Sequence, residues 1–212
     1  MTYPVIRKAV AQDIQGIVTI HQKAFTGFFL TRLGREFLHQ YYGLVLEYRA
    51  GIALVSEACG VLEGFACGFV DPPEFYRLMR RNSQNFVVPA LSALFRDTSL
   101  ATKVFHAVQR LQTPASQGAT QLCELSSIAV APEAAGGGLG KALLHAFVAQ
   151  AWLMNAQHVF LTTDADGNEA ANALYQKAGF QHTRRFLQGQ GRWMNEYVIN
   201  RAGAGDTCRM HP

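Results

Sequence analysis

The sequence predicts an α/β domain, and three features predict it. The β-compatible run from Leu122 to Val130, closed by Pro132, leads through a glycine-rich turn into a helix. That helix sets Leu143, Leu144, Phe147, Val148 and Ala151 on one stripe. Ile52 to Ala58 and Val61 to Val70 read as a hairpin turning at Cys59-Gly60. Gln181 to Leu187 and Trp193 to Ile199 read as a closing hairpin about Gly189-Gln190-Gly191.

The remaining elements follow in order. Tyr3 to Ala9 reads as a first strand, Asp13 as a helix start, and Ile14, Ile17, Val18 and His21 as one helical face. Phe25, Phe28 and Phe29 precede a helix carrying Leu33, Phe37, Tyr41 and Leu44 at helical spacing. Asp71-Pro72-Pro73 stops the strand that began at Val61. Residues 74–121 carry helix signals, the best being Thr98 or Ser99 as a cap before Leu100, Val104, Ala107, Val108 and Leu111. His158 to Thr163 reads as a strand. The next helix has Asn168 as its N-cap, Glu169 in its first turn and Gly179 just past its end. The tail from Ala202 to Pro212, small, polar and rich in glycine, reads as disordered. No internal repeat or linker divides the chain, so residues 1–201 read as one domain.

Composition excludes more than it selects. At 212 residues the chain is one domain long, with enough apolar content for a normal core. No run approaches the roughly 18 apolar residues of a membrane span, and no signal peptide is recognisable, which reads as a cytoplasmic protein without a membrane partner. Cys59, Cys67, Cys123 and Cys208 lack metal spacing and read as reduced thiols, three of them in core packing. The histidines form no i, i+4 pair, so no metal site is expected. A formal charge of +4 suits anionic small molecules and is too weak to argue for nucleic acid.

The run Ala135-Gly136-Gly137-Gly138-Leu139-Gly140-Lys141 carries the most chemistry. Glycines at a strand-to-helix turn let backbone approach a ligand, and the free N–H groups of the first helical turn favour an anion, most often phosphate. A flexible turn with no ligand is the alternative. A nucleotide P-loop fails at both ends, since Ala135 replaces its first glycine and Ala142 its hydroxyl. A dinucleotide fingerprint fails because Lys141 or Leu143 stands where a third small residue is needed.

Gly138-Leu139-Gly140 instead resembles the end of Arg/Gln-x-x-Gly-x-Gly/Ala, the acetyl-CoA pyrophosphate loop of the GNAT superfamily of N-acetyltransferases. Ala135 stands where that family has Arg or Gln. The downstream run Asn168-x-x-Ala171-x-x-Leu174-Tyr175-x-x-x-Gly179-Phe180 resembles the family's second signature. The resemblance covers residues 1 to about 200, apart from the helical insertion 71–121. It implies a mixed central sheet of about seven strands flanked by helices, splayed between the fourth and fifth, with the insertion before the fourth. It also implies acetyl-CoA as co-substrate and no metal.

Acetyl transfer needs a base for the amine, a donor for the thioester oxygen and a proton for the thiolate. The resemblance assigns the pantetheine and thioester contacts to the backbone of Ile128, Ala129 and Val130. It assigns the pyrophosphate to Gly136, Gly137, Gly138, Leu139, Gly140 and Lys141. Asn168 either contacts the cofactor arm or only caps its helix. Tyr175 stands at the family's general-acid position; the alternative is a tyrosine packed on the sheet. Glu124, six residues before Val130 in an otherwise uncharged strand, resembles the glutamate base of histone-type members. It could instead face solvent or pair with an arginine of the insertion, and many family members use water.

The acceptor is least specified. Phe28 and Phe29 could line its pocket, although such residues are core by default. The insertion has an excess of three positive charges, with Arg80 and Arg81 among them, which is either a solvated face or a site for an anionic acceptor such as a nucleotide-linked amino sugar. The expected activity is N-acetylation of a small-molecule primary amine in a ternary complex. A protein acetyltransferase and a non-catalytic acyl-CoA-binding protein are the alternatives, and homodimer formation stays open.

Overall fold

The computed structural model describes residues 4–86, 121–188 and 191–202. Strand β1 (Val5–Lys8) is followed by a 3-10 turn, α1 (Ile14–Ala24), α2 (Phe29–Arg32) and α3 (Arg35–Glu47). The hairpin β2 (Gly51–Ala58) and β3 (Val61–Val70) leads directly into α4 (Pro72–Arg81). Then come β4 (Leu122–Val130), α5 (Leu139–Leu153), β5 (His158–Asp164), α6 (Glu169–Lys177), β6 (Gln181–Gln188) and β7 (Arg192–Asn200).

Seven strands form one sheet in the order β1-β2-β3-β4-β5-β7-β6. Every neighbouring pair is antiparallel except β4 and β5, which run parallel. That parallel pair is short: Leu122, Cys123 and Glu124 match His158, Val159 and Phe160, and there the pairing ends. Beyond it β5 continues on β7 while β4 continues on β3, so the sheet opens into a V. The splay expected between the fourth and fifth strands is therefore present.

Each face of the sheet carries its own core. Ile17 and Val18 of α1, Leu38 and Tyr42 of α3, and Phe75 of α4 pack on one face against Phe65 and Phe69. Leu143, Leu144 and Phe147 of α5 pack on the other against Val159, Leu161 and Tyr197. A bulge in β4 divides its side chains between these cores. Cys67 pairs with Ser127 and Gly68 with Leu125, leaving Ser126 as the extra residue. Before the bulge Cys123 and Leu125 face α5; after it Ala129 faces α1 and α3. A Cβ on Gly68 would stand 1.9 Å from the Glu124 carbonyl oxygen and 2.6 Å from Phe147 Cζ, so glycine permits this approach of β3 to β4 beneath α5.

Several local expectations change. The helix expected to include Leu33 is split by Gly34 at φ +94, with Leu33 buried just before the break. Asp13 precedes α1, but its carboxylate makes no cap bond to it; it accepts instead from Arg7 at 2.6 and 2.9 Å and from the Val10 N–H at 2.8 Å. Cys67 and Cys123 are buried, whereas Cys59 is exposed in its turn, so the core holds two of the three described cysteines. Asp71 caps α4 by accepting from the Glu74 N–H, with prolines in the first turn, which agrees with the strand stop read from Asp71-Pro72-Pro73. The helix expected at 100–111 and the tail from 203 onward lie outside the described residues.

Candidate functional site

The glycine run lies at the mouth of the V. Gly136 and Gly138 have φ values of +92 and +78, which favour glycine, and a Cβ at 136, 137 or 138 would meet nothing within 4 Å. The turn is thus bent by conformation and borders open space. A Cβ on Gly140 would lie 3.7 Å from Val130 Cγ2 and 3.8 Å from Leu174 Cδ2, so the first turn of α5 sits between the end of β4 and α6. Ala142 donates to the Gly138 carbonyl at 3.1 Å, leaving the earlier N–H groups of Leu139, Gly140 and Lys141 at the helix start. Lys141 is exposed, and Ala135 offers no polar side chain.

Ile128, Ala129 and Val130 lie in the stretch of β4 that pairs with β3 on one side and has no strand on the other. Their backbone on the open side faces the V. The side chains of Ile128 and Val130 pack on the α5 core and that of Ala129 on the opposite one.

Asn168 stands at the N-cap position of α6 without a side-chain cap bond. Its amide donates to Thr163 Oγ1 at 2.7 Å, tying the helix start to the end of β5. Asn172, one turn on, donates to the Asp164 carbonyl at 2.9 Å and accepts from Asn195 and the Tyr197 hydroxyl, both at 2.9 Å. Sequence reading missed Asn172 and Tyr197. The available signal was a second asparagine four residues after Asn168, on the same helix face. Tyr175 is buried, edge-on to Phe180 at 6.1 Å and tilted against Tyr197 at 5.8 Å. Burial, with a smaller contribution from Tyr197, pushes its phenol up to about 12.

Glu124 lies on the other face of the sheet. The Tyr76 hydroxyl, from α4, donates to its two carboxylate oxygens at 3.0 and 3.1 Å. Tyr76 packs edge-on against Phe69 at 5.6 Å and Phe75 at 5.7 Å, in the core shared by α1, α3 and α4. From α3, Tyr41 also approaches: burial raises its phenol, the charge of Glu124 adds to the rise, and the Ser126 hydroxyl opposes it. The insertion thus supplies Glu124 with a tyrosine, where the sequence suggested solvent or an arginine of the insertion; residues 87–120 of that insertion lie outside the described residues. Glu124 and Tyr175 lie on opposite faces of the sheet.

Of the residues considered for an acceptor, Phe28 lies under the Arg192 guanidinium, 4.4 Å from ring centroid to Cζ. Arg192 also hydrogen-bonds both oxygens of Asp164 at the end of β5. Phe29 begins α2, and its side chain lies outside the described residues. Arg80 and Arg81 are exposed in the last turn of α4, where cations complement the helix dipole. Arg96, Lys103 and Arg110 lie outside the described residues. Among the described residues no group of three His, Cys, Asp or Glu is arranged to hold a metal, and no described helix is long and apolar enough to cross a membrane.

Comparison with known proteins agrees with this geometry. The family model described as acetyltransferase (GNAT) family matches residues 14–180. No curated protein sequence matches the chain. Solved structures do. yncA of Salmonella typhimurium, with its cofactor acetyl-CoA, is 19% identical over 98% of this chain and 100% of its own, with a TM-score of 0.64. An N-acetyltransferase from Staphylococcus aureus Mu50 is 17% identical over 94% and 99%, TM-score 0.64. A ribosomal-protein-alanine N-acetyltransferase from Brucella melitensis is 19% identical over 92% and 99%, TM-score 0.63. At these identities the likeness is one of fold.

Proposed function

The chain belongs to the GNAT family of acetyltransferases, and from that premise we propose that it moves an acetyl group from acetyl-CoA directly to a primary amine on a small molecule. The observation that carries this reading is the V between β4 and β5, with the N-terminus of α5 at its mouth. The residues present fit acetyl-CoA. Open space beside Gly136, Gly137 and Gly138 and the first-turn N–H groups of α5 suit a pyrophosphate. The unpaired edge of β4 at Ile128, Ala129 and Val130 suits an amide-bearing arm. Ala135 contributes no side-chain donor, so the loop acts through backbone, with Lys141 adding positive charge.

Acetyl-CoA supplies an activated thioester, and the chain supplies position and proton transfer. Glu124 accepts the proton of the attacking amine from the α4 face. Backbone N–H groups of β4 stabilise the charge that builds on the carbonyl oxygen. Tyr175, kept protonated by burial, donates to the departing sulfur from the α6 face. Base and acid on opposite faces let separate groups serve the nitrogen and sulfur substituents of one tetrahedral carbon. The amine adds to the carbonyl as it gives up its proton, and the C–S bond breaks as the carbonyl re-forms and the sulfur is protonated. Phe28, Arg192 and the exposed Arg80 and Arg81 border the acceptor side in this reading.

The test is turnover of acetyl-CoA with paired panels of small amines and of N-terminal and lysine peptides. Acetylation of small amines is the expected result. Acetylation of peptides alone assigns a protein acceptor, and acetyl-CoA binding without turnover on either panel removes the enzymatic reading of this site.

A further inference from the structure

Tyr76 stands out because nothing in the reaction as described uses it, yet it spans a long sequence distance to reach the candidate base. It lies on α4, the first helix of the insertion 71–121, and Glu124 lies near the start of β4. Its ring is held by Phe69 and Phe75, which stack on each other at 3.8 Å with their planes 12° apart. That packing fixes where the hydroxyl points. The hydroxyl meets the carboxylate almost symmetrically, at 3.0 and 3.1 Å.

Resting on the reading of Glu124 as base, we propose that Tyr76 is a positioning residue for acetyl transfer: its hydroxyl orients the Glu124 carboxylate towards the acceptor amine, which couples α4 to the chemistry. Donation to a carboxylate favours its charged, proton-accepting form. The other titratable groups facing Glu124 among the described residues are Tyr41 from α3 and Cys123 from its own strand. Burial pushes both of these up, so both stay neutral through the working range. Phe69 of β3 and Phe160 of β5 flank Glu124 in the sheet and do not titrate. Tyr76 donates to this carboxylate, so deleting its hydroxyl should raise the pH at which Glu124 takes up a proton.

The experiment is a double-mutant cycle of Tyr76→Phe and Glu124→Gln. The pH profile of kcat/KM is followed with the best acceptor from the paired panels. Y76F keeps the ring and its packing and deletes only the hydroxyl. We expect kcat to fall roughly tenfold with the KM for acetyl-CoA unchanged, and the acid limb to move up by about one pH unit. Y76F should add nothing in the E124Q background. Equal losses in both backgrounds, or an unmoved acid limb, overturn the positioning role and leave Glu124 as base. Full activity of E124Q overturns the base itself, and the positioning role with it. A readout free of any acceptor uses side-chain carboxyl NMR, with the Glu124 signal identified by its loss in E124Q. That signal should titrate about one unit higher in Y76F; an unchanged titration overturns the proposal.

Discussion

The guanidinium of Arg192 lies over the ring of Phe28, 4.4 Å from its centroid, while hydrogen-bonding both oxygens of Asp164. Three segments distant in sequence meet there: the approach to α2, the end of β5 and the start of β7. Asp164 fixes the plane of the arginine, so the cation–π contact holds the α1–α2 connection against the last hairpin. Arg192→Ala should raise the KM for the acceptor roughly tenfold and leave that for acetyl-CoA within about twofold, on the usual strength of such a contact. Steady-state kinetics with each substrate varied in turn checks this. A change confined to acetyl-CoA would show that the contact belongs to the cofactor side.

Acetyl-CoA should raise the melting temperature, because the loop and the β4 edge exist only in the folded state. At a concentration about a hundredfold above Kd the gain is about 2.7 kcal/mol. Two glycines separate conformation from space. Gly138→Val forces a branched side chain into φ +78, so it should lower the melting temperature and abolish the ligand shift. Gly137→Ala adds a methyl to open space without a positive φ, so the unliganded protein should melt as before while acetyl-CoA binds more weakly. Unweakened binding in that variant would move the pyrophosphate elsewhere.

Tyr175→Phe removes one hydroxyl from a buried ring and keeps its contacts with Phe180 and Tyr197. Turnover should fall roughly 10²-fold or more, the usual size for a positioned acid, with little change in acetyl-CoA affinity. Burial holds the phenol protonated up to about 12, so the parent enzyme should lose no activity to Tyr175 ionisation below that pH. Parental turnover in the variant would leave Tyr175 as packing alone.

His21 supplies a pH test of stability. It is buried, its Nδ1 lies 2.6 Å from the Tyr42 hydroxyl, and burial lowers it to about 4. The unfolded chain, with an ordinary imidazole near 6.5, therefore binds a proton first as pH falls. Stability is full above about 6.5 and declines between there and about 4, by up to about 3 kcal/mol from this one group. NMR of the imidazole should show it still neutral at pH 5.5, and His21→Gln should flatten this part of the stability profile. A ring titrating near 6.5 would refute the assignment.

Local pattern carried much of the fold. The strand, glycine turn and helix from Leu122 to Leu153 were legible because periodicity, Pro132 and the glycines are properties of neighbouring residues. The hairpins and the order of elements were legible for the same reason. The helix near Leu33 was read as unbroken because Gly34 interrupts an apolar spacing that continues across it.

The sequence by itself determined the family-like signatures, the elements that bear them and the residue types available at the site. Only the tertiary structure decided which of those residues meet. β4 pairs with β5 over three residues and then leaves it, an extent of pairing that no residue of either strand announces. The bulge at Ser126 reverses which side chains of β4 face which core, and it depends on how closely β3 approaches at Gly68. The sequence named Glu124 as a candidate; that Tyr76 meets it followed from the packing of α4 on Phe69. Asn168 was legible as a helix start, but Thr163 claimed its side chain once β5 and α6 were brought together. Residue order sets local conformation through backbone sterics and periodicity, whereas contacts between distant segments follow from register and packing in three dimensions.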